Sequence, residues 1–176
     1  KKITYLRFIL SMILLFCIIF ATFSSNTFGA EVKEIVVNSA AELKSKMENP
    51  AGSNIKLGAN ITFPASLRKD NAIEMRGGSH ILNLNGYSIE YSYVNSDREY
   101  SGSPIRLDGS LTINGSGTIK GGYCAIEVGG WDNVLIINGG SYTGIAATAI
   151  RAGGLTIFNG GTLSGRFGDV GLGGGI

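Results

Sequence analysis

The chain has 176 residues, of which 27 are glycine and only 16% are charged. An apolar content of 44% is too high for a disordered chain, and three prolines without a repeating Gly-x-y triplet exclude collagen. This composition is typical of short buried segments that are joined by many turns.

Residues 1–30 have the pattern of a secretory signal peptide. Basic residues up to Arg7 precede an apolar stretch over 8–23, and small polar residues follow it. The apolar stretch is shorter than the ~20 residues that span a bilayer, so an uncleaved membrane anchor is the second interpretation. We expect cleavage after Gly29 or Ala30, and a secreted or cell-surface protein that has no membrane attachment once the signal is removed.

The remaining chain is close to electrically neutral. Removal of residues 1–30 takes away three basic residues and no acidic one, which leaves 12 Lys and Arg against 13 Asp and Glu. We therefore expect no nucleic-acid partner. Cys124 is left without a second cysteine, and with a single histidine the chain has no zinc-ligand spacing. We predict no metal and no other cofactor. Calcium is the one ion left open, and no cluster of acidic residues supports it.

Residues 31–64 are predicted to form an N-terminal cap and the first strands. Ser39 and Glu42 have the spacing of a capping box. A short helix from Ala40 to Glu48 would then cover the open end of the core. The apolar face of this helix would consist of Leu43 and Met47.

Two sequence units alternate along residues 65–176. The first is an apolar strand that ends in Asn-Gly, and its asparagines are Asn85, Asn114, Asn138 and Asn159. The second is a short alternating strand that carries one charge, at Glu74, Arg106, Glu127 and Arg151. Both units recur at intervals of 20–32 residues, and their strands are too short for helices. Such intervals predict a solenoid whose successive turns stack in parallel.

A stack of β-hairpins is the alternative to a solenoid, because Asn-Gly is also a strong signal for a hairpin turn. Hairpins would not repeat the same two strand types at one full-turn spacing, so we favour the solenoid. We expect the coil to be truncated at its C-terminus, because the sequence stops at Ile176 just as a strand unit closes.

Alternation along each strand separates inward from outward side chains. We expect two inner columns, Ile73/Ile105/Ile126/Ile150 and Leu84/Ile113/Ile137/Ile157. The charged residues of the second unit would form an outer ladder in which opposite charges face each other. The four asparagines would be turn and ladder residues. We interpret both ladders as structural.

Several segments carry a family resemblance. Ala-Glu-Leu at 41–43 with Ile-Lys-Leu-Gly at 55–58 is similar to the N-terminal cap of right-handed parallel β-helix proteins. The segments 82–89 and 137–140 resemble the rungs of the pectate-lyase-like superfamily, above all its bacterial surface and adhesin-type members. The resemblance implies an all-β, right-handed parallel β-helix solenoid with a short N-terminal capping helix.

The enzymes of this superfamily carry signatures that the chain lacks. Pectate lyases cluster acidic calcium ligands beside an arginine base, whereas the aspartates here are scattered. Polygalacturonases use paired aspartates and a His-Gly, but His80 is followed by Ile81. His80 is instead predicted to lie at a rung edge. We predict no catalytic residue in this part of the chain.

Aromatic side chains are the candidates for a ligand-binding surface, since flat rings with little rotamer entropy suit the faces of sugars. The candidates are Tyr91, Tyr93, Tyr100 and Trp131. Each ring could instead pack in the core or beneath the loop over 90–103. Strict alternation puts Ile89 on the face of Tyr91 and Tyr93, so either that face packs inward or a bulge intervenes.

The sequence favours a secreted or cell-surface module that binds a polysaccharide or a cell-surface glycan without catalysis, as carbohydrate-binding and adhesive modules do. One alternative is the N-terminal part of a polysaccharide lyase or hydrolase whose active site lies in further rungs. Another is a structural stalk, or a repeat surface such as an ice binder that uses Thr112 and Thr156. Ile136 interrupts that threonine row, which counts against the ice binder.

Overall fold

The computed structural model describes residues 33–64, 71–91 and 102–172. The predicted signal peptide and its cleavage site, the predicted truncation at the C-terminus, and the candidates Tyr93 and Tyr100 lie outside these ranges. The described chain contains one helix, α1 (Ala40–Met47), and 16 strands. The strands are β1 (Ile35–Val37), β2 (Ser53–Leu57), β3 (Ile61–Phe63), β4 (Ile73–Glu74), β5 (Ser79–Asn83), β6 (Ser88–Tyr91), β7 (Ile105–Leu107), β8 (Ser110–Asn114), β9 (Thr118–Gly121), β10 (Ile126–Val128), β11 (Val134–Ile137), β12 (Ser141–Gly144), β13 (Ile150–Ala152), β14 (Leu155–Phe158), β15 (Thr162–Gly165) and β16 (Val170–Leu172).

The strands form three parallel sheets. Sheet 1 has the order β1-β2-β5-β8-β11-β14, sheet 2 the order β4-β7-β10-β13-β16, and sheet 3 the order β3-β6-β9-β12-β15. From β4 onward, the chain adds one strand to sheet 2, then one to sheet 1, then one to sheet 3 in each turn. Neighbouring strands are parallel in all three sheets. This architecture confirms the predicted parallel β-helix, because a stack of hairpins would make neighbouring strands antiparallel.

The inner column of sheet 2 follows the prediction. Ile105 lies opposite Ile73 on one side and Ile126 on the other, and Ile126 lies opposite Ile150. All four side chains are buried in one continuous core. Stacking like side chains turn after turn removes apolar surface from water at every step, which is the main stabilising contribution in a solenoid.

The inner column of sheet 1 differs from the prediction. Leu82, not Leu84, lies opposite Ile113, and Phe158, not Ile157, lies opposite Ile137. The prediction matched the strands of sheet 1 to one another by their Asn-Gly pairs. This gave the wrong register for the first strand, because Asn85-Gly86 lies beyond the end of β5. At the last copy one extra residue before Asn-Gly turns Ile157 to the outer face.

Helix α1 covers the N-terminal end of the core, as predicted. The Ser39 hydroxyl accepts a hydrogen bond from the Glu42 backbone N–H at 3.3 Å, and the Glu42 carboxylate accepts one from the Asn38 N–H at 2.8 Å. The apolar face of Leu43 and Met47 is buried, and the helix packs against β2, β3 and β4. The cap is therefore held by its own local bonds and by the core beneath it.

His80 lies inside the coil, so the prediction of a rung-edge position was wrong. Its side chain is 2% exposed and sits in the inward column between Ser53 and Leu111. Neither ring nitrogen has a hydrogen-bond partner. Burial lowers the pKa of His80 from its ordinary value, and the nearby backbone of Gly77 and Asn49 opposes this only in part. The neutral imidazole is the form that the fold accommodates.

Candidate binding surface

The charge ladder lies on the outer face of sheet 2. The register sets Glu74 opposite Arg106, Arg106 opposite Glu127, and Glu127 opposite Arg151. An Arg151 Nη1 lies 3.1 Å from Glu127 Oε1, whereas Glu74 pairs with Arg76 at 3.6 Å. Opposite charges thus alternate from turn to turn, and this face offers no patch of a single sign.

The asparagine ladder runs along the edge of sheet 1. Asn138 Nδ2 donates to Asn114 Oδ1 at 2.8 Å, and Asn159 Nδ2 donates to Asn138 Oδ1 at 2.7 Å. Asn83, not Asn85, lies opposite Asn114. Asn85 has a left-handed backbone, with φ of 51°, and donates to the Leu57 carbonyl at 3.0 Å. Asn85 is therefore a turn residue and not a rung of this ladder.

Tyr91 is not at the surface. It lies inward on β6, its side chain is 3% exposed, and its strand neighbours are Phe63 and Gly121. A side chain at Gly121 would collide with the backbone of Tyr91, because its Cβ would meet the Tyr91 carbonyl oxygen, and Gly121 has a φ of 126°. The strict alternation with Ile89 therefore holds, and the Tyr91 ring is removed from the binding candidates.

Trp131 is the exposed aromatic candidate within the described ranges, because its side chain is 80% exposed. It lies in residues 129–133, which connect β10 to β11. The equivalent connections in the turns before and after have two residues each, at 108–109 and 153–154. The three extra residues form a turn in which the Asn133 N–H donates to the Gly130 carbonyl at 3.3 Å. Trp131 lies at the tip of that turn.

The base of this loop is anchored to its neighbours. Asn133 Oδ1 accepts from the Gly109 N–H at 2.6 Å, and Asn133 Nδ2 donates to Asp108 Oδ1 at 2.9 Å. On the other side, a Cβ at Gly154 would lie 2.7 Å from the Gly130 carbonyl oxygen, so the next turn packs closely beneath the loop. Asn133 went unnoticed in the sequence because it belongs to neither repeat.

Beside this loop lies the outer face of sheet 1. We call the outward positions of β5, β8, β11 and β14, together with the asparagines that end these rungs, the platform. The platform has three columns: Ser79/Ser110/Val134/Leu155, Ile81/Thr112/Ile136/Ile157 and Asn83/Asn114/Asn138/Asn159. None of these side chains is charged. Trp131 precedes Val134, the first platform residue of β11, by three positions.

A threonine row for binding ice does not form on the platform. Thr112 faces outward, but Thr156 lies opposite Leu135 and faces inward. Its Oγ1 is buried without a hydrogen-bond partner. The one-residue shift in the last rung that turned Ile157 outward also turned Thr156 inward.

The groups with nucleophilic or metal-binding chemistry are dispersed. Cys124 is buried, its Sγ lies 3.0 Å from the Ser103 hydroxyl, and burial raises its pKa to about 11. The thiol therefore stays protonated at neutral pH. Over the described ranges, no three His, Cys, Asp or Glu residues come together as metal ligands would. Within the same ranges, no helix is long and apolar enough to cross a membrane.

Of the candidate rings within the described ranges, Trp131 is thus the exposed one, and it lies on an anchored loop beside an uncharged, partly apolar sheet face. Comparisons of the chain with models of protein families, with curated proteins and with solved structures found no match.

Proposed function

We propose that the protein is a secreted or cell-surface module that binds a polysaccharide or cell-surface glycan through Trp131, without catalysis by this part of the chain. The observation that carries the proposal is the 80% exposure of the Trp131 side chain. A two-residue connection suffices in the neighbouring turns, so the three extra residues are not needed to close the coil. What they add is an exposed indole.

The anchoring of the loop supports the proposal. A ring that is held in place before binding loses little conformational entropy when a sugar stacks on it. The bonds from Asn133 to Gly109 and Asp108 fix the base of the loop. Aromatic rings at protein surfaces are a common means of holding the apolar faces of sugars, and such contacts respond weakly to salt.

The assignment to the pectate-lyase-like superfamily is part of this proposal. The rung pattern and the cap resemble adhesin-type members of the pectate-lyase-like superfamily, and the parallel β-helix is compatible with that assignment. Export rests on the signal-peptide pattern of residues 1–30. Expression of the gene in a secreting host and N-terminal sequencing of the exported protein test it, with Glu31 or Ala30 expected as the first residue.

Retention on insoluble cellulose, xylan and pectin tests the binding function. We expect the protein to be retained on at least one polymer and Trp131→Ala to lose most of that retention. Phe167→Ala is the matched control, since the Phe167 ring is also exposed, at 68%, but lies beyond β15. Equal retention of both variants, or retention on none of the polymers, would contradict the proposal. Release of unsaturated uronides would overturn the noncatalytic assignment.

A further inference from the structure

We propose that the platform is the main contact surface of the proposed glycan-binding site and that its ligand is an uncharged polysaccharide. This inference rests on the proposed function and extends it from one ring to a sheet face. The platform adjoins the Trp131 loop, because Val134 begins β11 directly after that loop.

The first argument is charge. No platform position carries a charged residue over four successive turns. The other two faces do carry charges over the same turns. Sheet 2 bears the ladder of Glu74, Arg106, Glu127 and Arg151, and sheet 3 bears Glu90 opposite Lys120. The lysine that borders the platform, Lys56 on β2 opposite Asn83, is already paired with Glu34 at 3.6 Å. A uronate that lay on the platform would therefore lose water without gaining a free cation, which is unfavourable. A neutral sugar has no charged group to dehydrate and would not incur this cost.

The second argument is exposed apolar surface. The outward side chains of Leu155, Ile81 and Ile157 are 55%, 42% and 39% exposed. Polar residues fit the same columns, since Ser110 and Thr112 occupy them on β8. The fold therefore does not require aliphatic side chains there. Leu155 and Ile157 form a continuous apolar patch with Val134 and Ile136 of the adjacent strand, and exposed apolar surface of this kind marks an interaction site.

The third argument is the polar edge beside the aliphatic columns. Asn138 and Asn159 each use one N–H of the side-chain amide for the ladder. An amide has two N–H donors and an oxygen that accepts two bonds, so each side chain keeps a donor for a ligand. Aliphatic columns for the C–H faces of a sugar and amides for its hydroxyls match a neutral glycan chain.

The platform that β5, β8, β11 and β14 form is smaller than a protein–protein interface. Four strands and five strand positions span roughly 14 Å by 13 Å, which gives a footprint of roughly 200 Å². Each partner in a stable protein complex buries about 800 Å². These four strands alone therefore offer less area than a stable dimer buries, whereas a short run of sugar rings would cover them.

The test introduces a charge on the platform and the same charge on another face of the same turn. Ile157→Lys places a lysine on β14 in sheet 1, and Ser164→Lys places one outward on β15 in sheet 3. Equilibrium depletion would be measured on cellulose, xylan and polygalacturonate, with thermal unfolding as the check on folding. We expect Ile157→Lys to weaken binding to the neutral polymers by about ten-fold or more, and Ser164→Lys to change it by less than about two-fold.

A milder variant covers the case in which Ile157→Lys does not fold. Ile136→Thr repeats the residue that Thr112 already places in the same column, and we expect a smaller loss in the same direction. Three results would overturn the inference while the proposed function stands: unchanged binding in both platform variants while Trp131→Ala still loses it, equal losses in Ile157→Lys and Ser164→Lys, or tighter binding to polygalacturonate than to neutral polymers. If the protein were retained on none of the polymers, both this inference and the proposed function would be overturned, whether or not the protein inhibits the growth of ice.

Discussion

The backbone N–H of Gly109 donates to the side-chain oxygen of Asn133 at 2.6 Å, across 24 residues of sequence. This bond joins the loop that presents Trp131 to the preceding turn of the coil. It also gives a hydrogen-bond partner to the Gly109 N–H, which lies in the connection between β7 and β8. The Asn133 side chain therefore stabilises this connection and also positions the loop.

Replacement of Asn133 by alanine should lower both stability and binding. The variant loses the bonds to Gly109 and Asp108, and we expect the free energy of unfolding to fall by about 2 kcal/mol. Urea unfolding would measure the loss, and polymer retention would fall because the loop is no longer fixed. Asn133→Asp is the control, since it keeps the acceptor for Gly109 but sets a carboxylate beside Asp108. Its stability should recover as the pH falls and one carboxylate takes up a proton.

His80 should make the protein less stable in mild acid. Its folded-state pKa lies below the ordinary value, so the unfolded chain takes up a proton first as the pH falls below about 6.5. Below that pH the unfolded state binds more protons, and stability decreases by up to ~1.4 kcal/mol per pH unit until the folded pKa is reached. Above it, His80 is neutral in both states and has no effect.

Thermal unfolding between pH 7.5 and 5 would measure this loss. His80→Leu is the comparison, because leucine is the residue at the neighbouring position Leu111 of the inward column. We expect this variant to lose the step near pH 6.5 and to be at least as stable as the wild type at neutral pH. The same pH profile in both proteins would show that His80 is not the group responsible.

Adjacent residues on β10 should differ sharply in their tolerance of substitution. Ile126→Asp buries a charge without a partner, and we expect a loss of about 3 kcal/mol or more. Glu127→Gln removes one exposed ion pair with Arg151, which is worth less than about 1 kcal/mol. Chemical denaturation of both variants tests the register. A greater loss for Glu127→Gln would mean that the two faces of β10 had been exchanged.

Thr156→Val should stabilise the protein. The Thr156 hydroxyl is buried without a partner, and valine has the same shape without the polar group, so we expect a gain of about 1 kcal/mol. Thr112→Val is the control, since Thr112 faces outward on β8 and its hydroxyl can reach water. Urea midpoints would distinguish the two, and a loss of stability in Thr156→Val would argue against an inward hydroxyl.

The repeats made the architecture predictable, but not the full register. The unit around Ile126 was assigned correctly because its apolar and charged positions alternate without interruption. The first Asn-Gly copy was misaligned by two residues, because Asn85 occupies a turn of similar composition to that of Asn114. Local sequence cannot separate two such asparagines, since what distinguishes them is pairing with a strand about 30 residues away.

The candidate site was predictable only in part. Trp131 stood out because glycine and aspartate flank a large ring, which is typical of a turn. Tyr91 looked similar, but it lies inward on β6 between Phe63 and Gly121 of the adjacent turns. Asn133 was missed for the same physical reason, since its partners belong to another turn. The platform could be recognised only from the observed strand register, because each of its columns combines residues from four turns.

Because each turn of the coil pairs only with the adjacent turns, the coil can change in length by whole turns. Each strand bonds only to its equivalents one turn before and one turn after, and 24 residues separate Glu127 from Arg151. Duplication or deletion of a turn that neither contains Trp131 nor borders its loop would lengthen or shorten the coil by about 4.8 Å without altering the contacts that anchor that loop. Evolution can thus set the reach of the molecule and the number of platform rows separately from the loop that presents the ring.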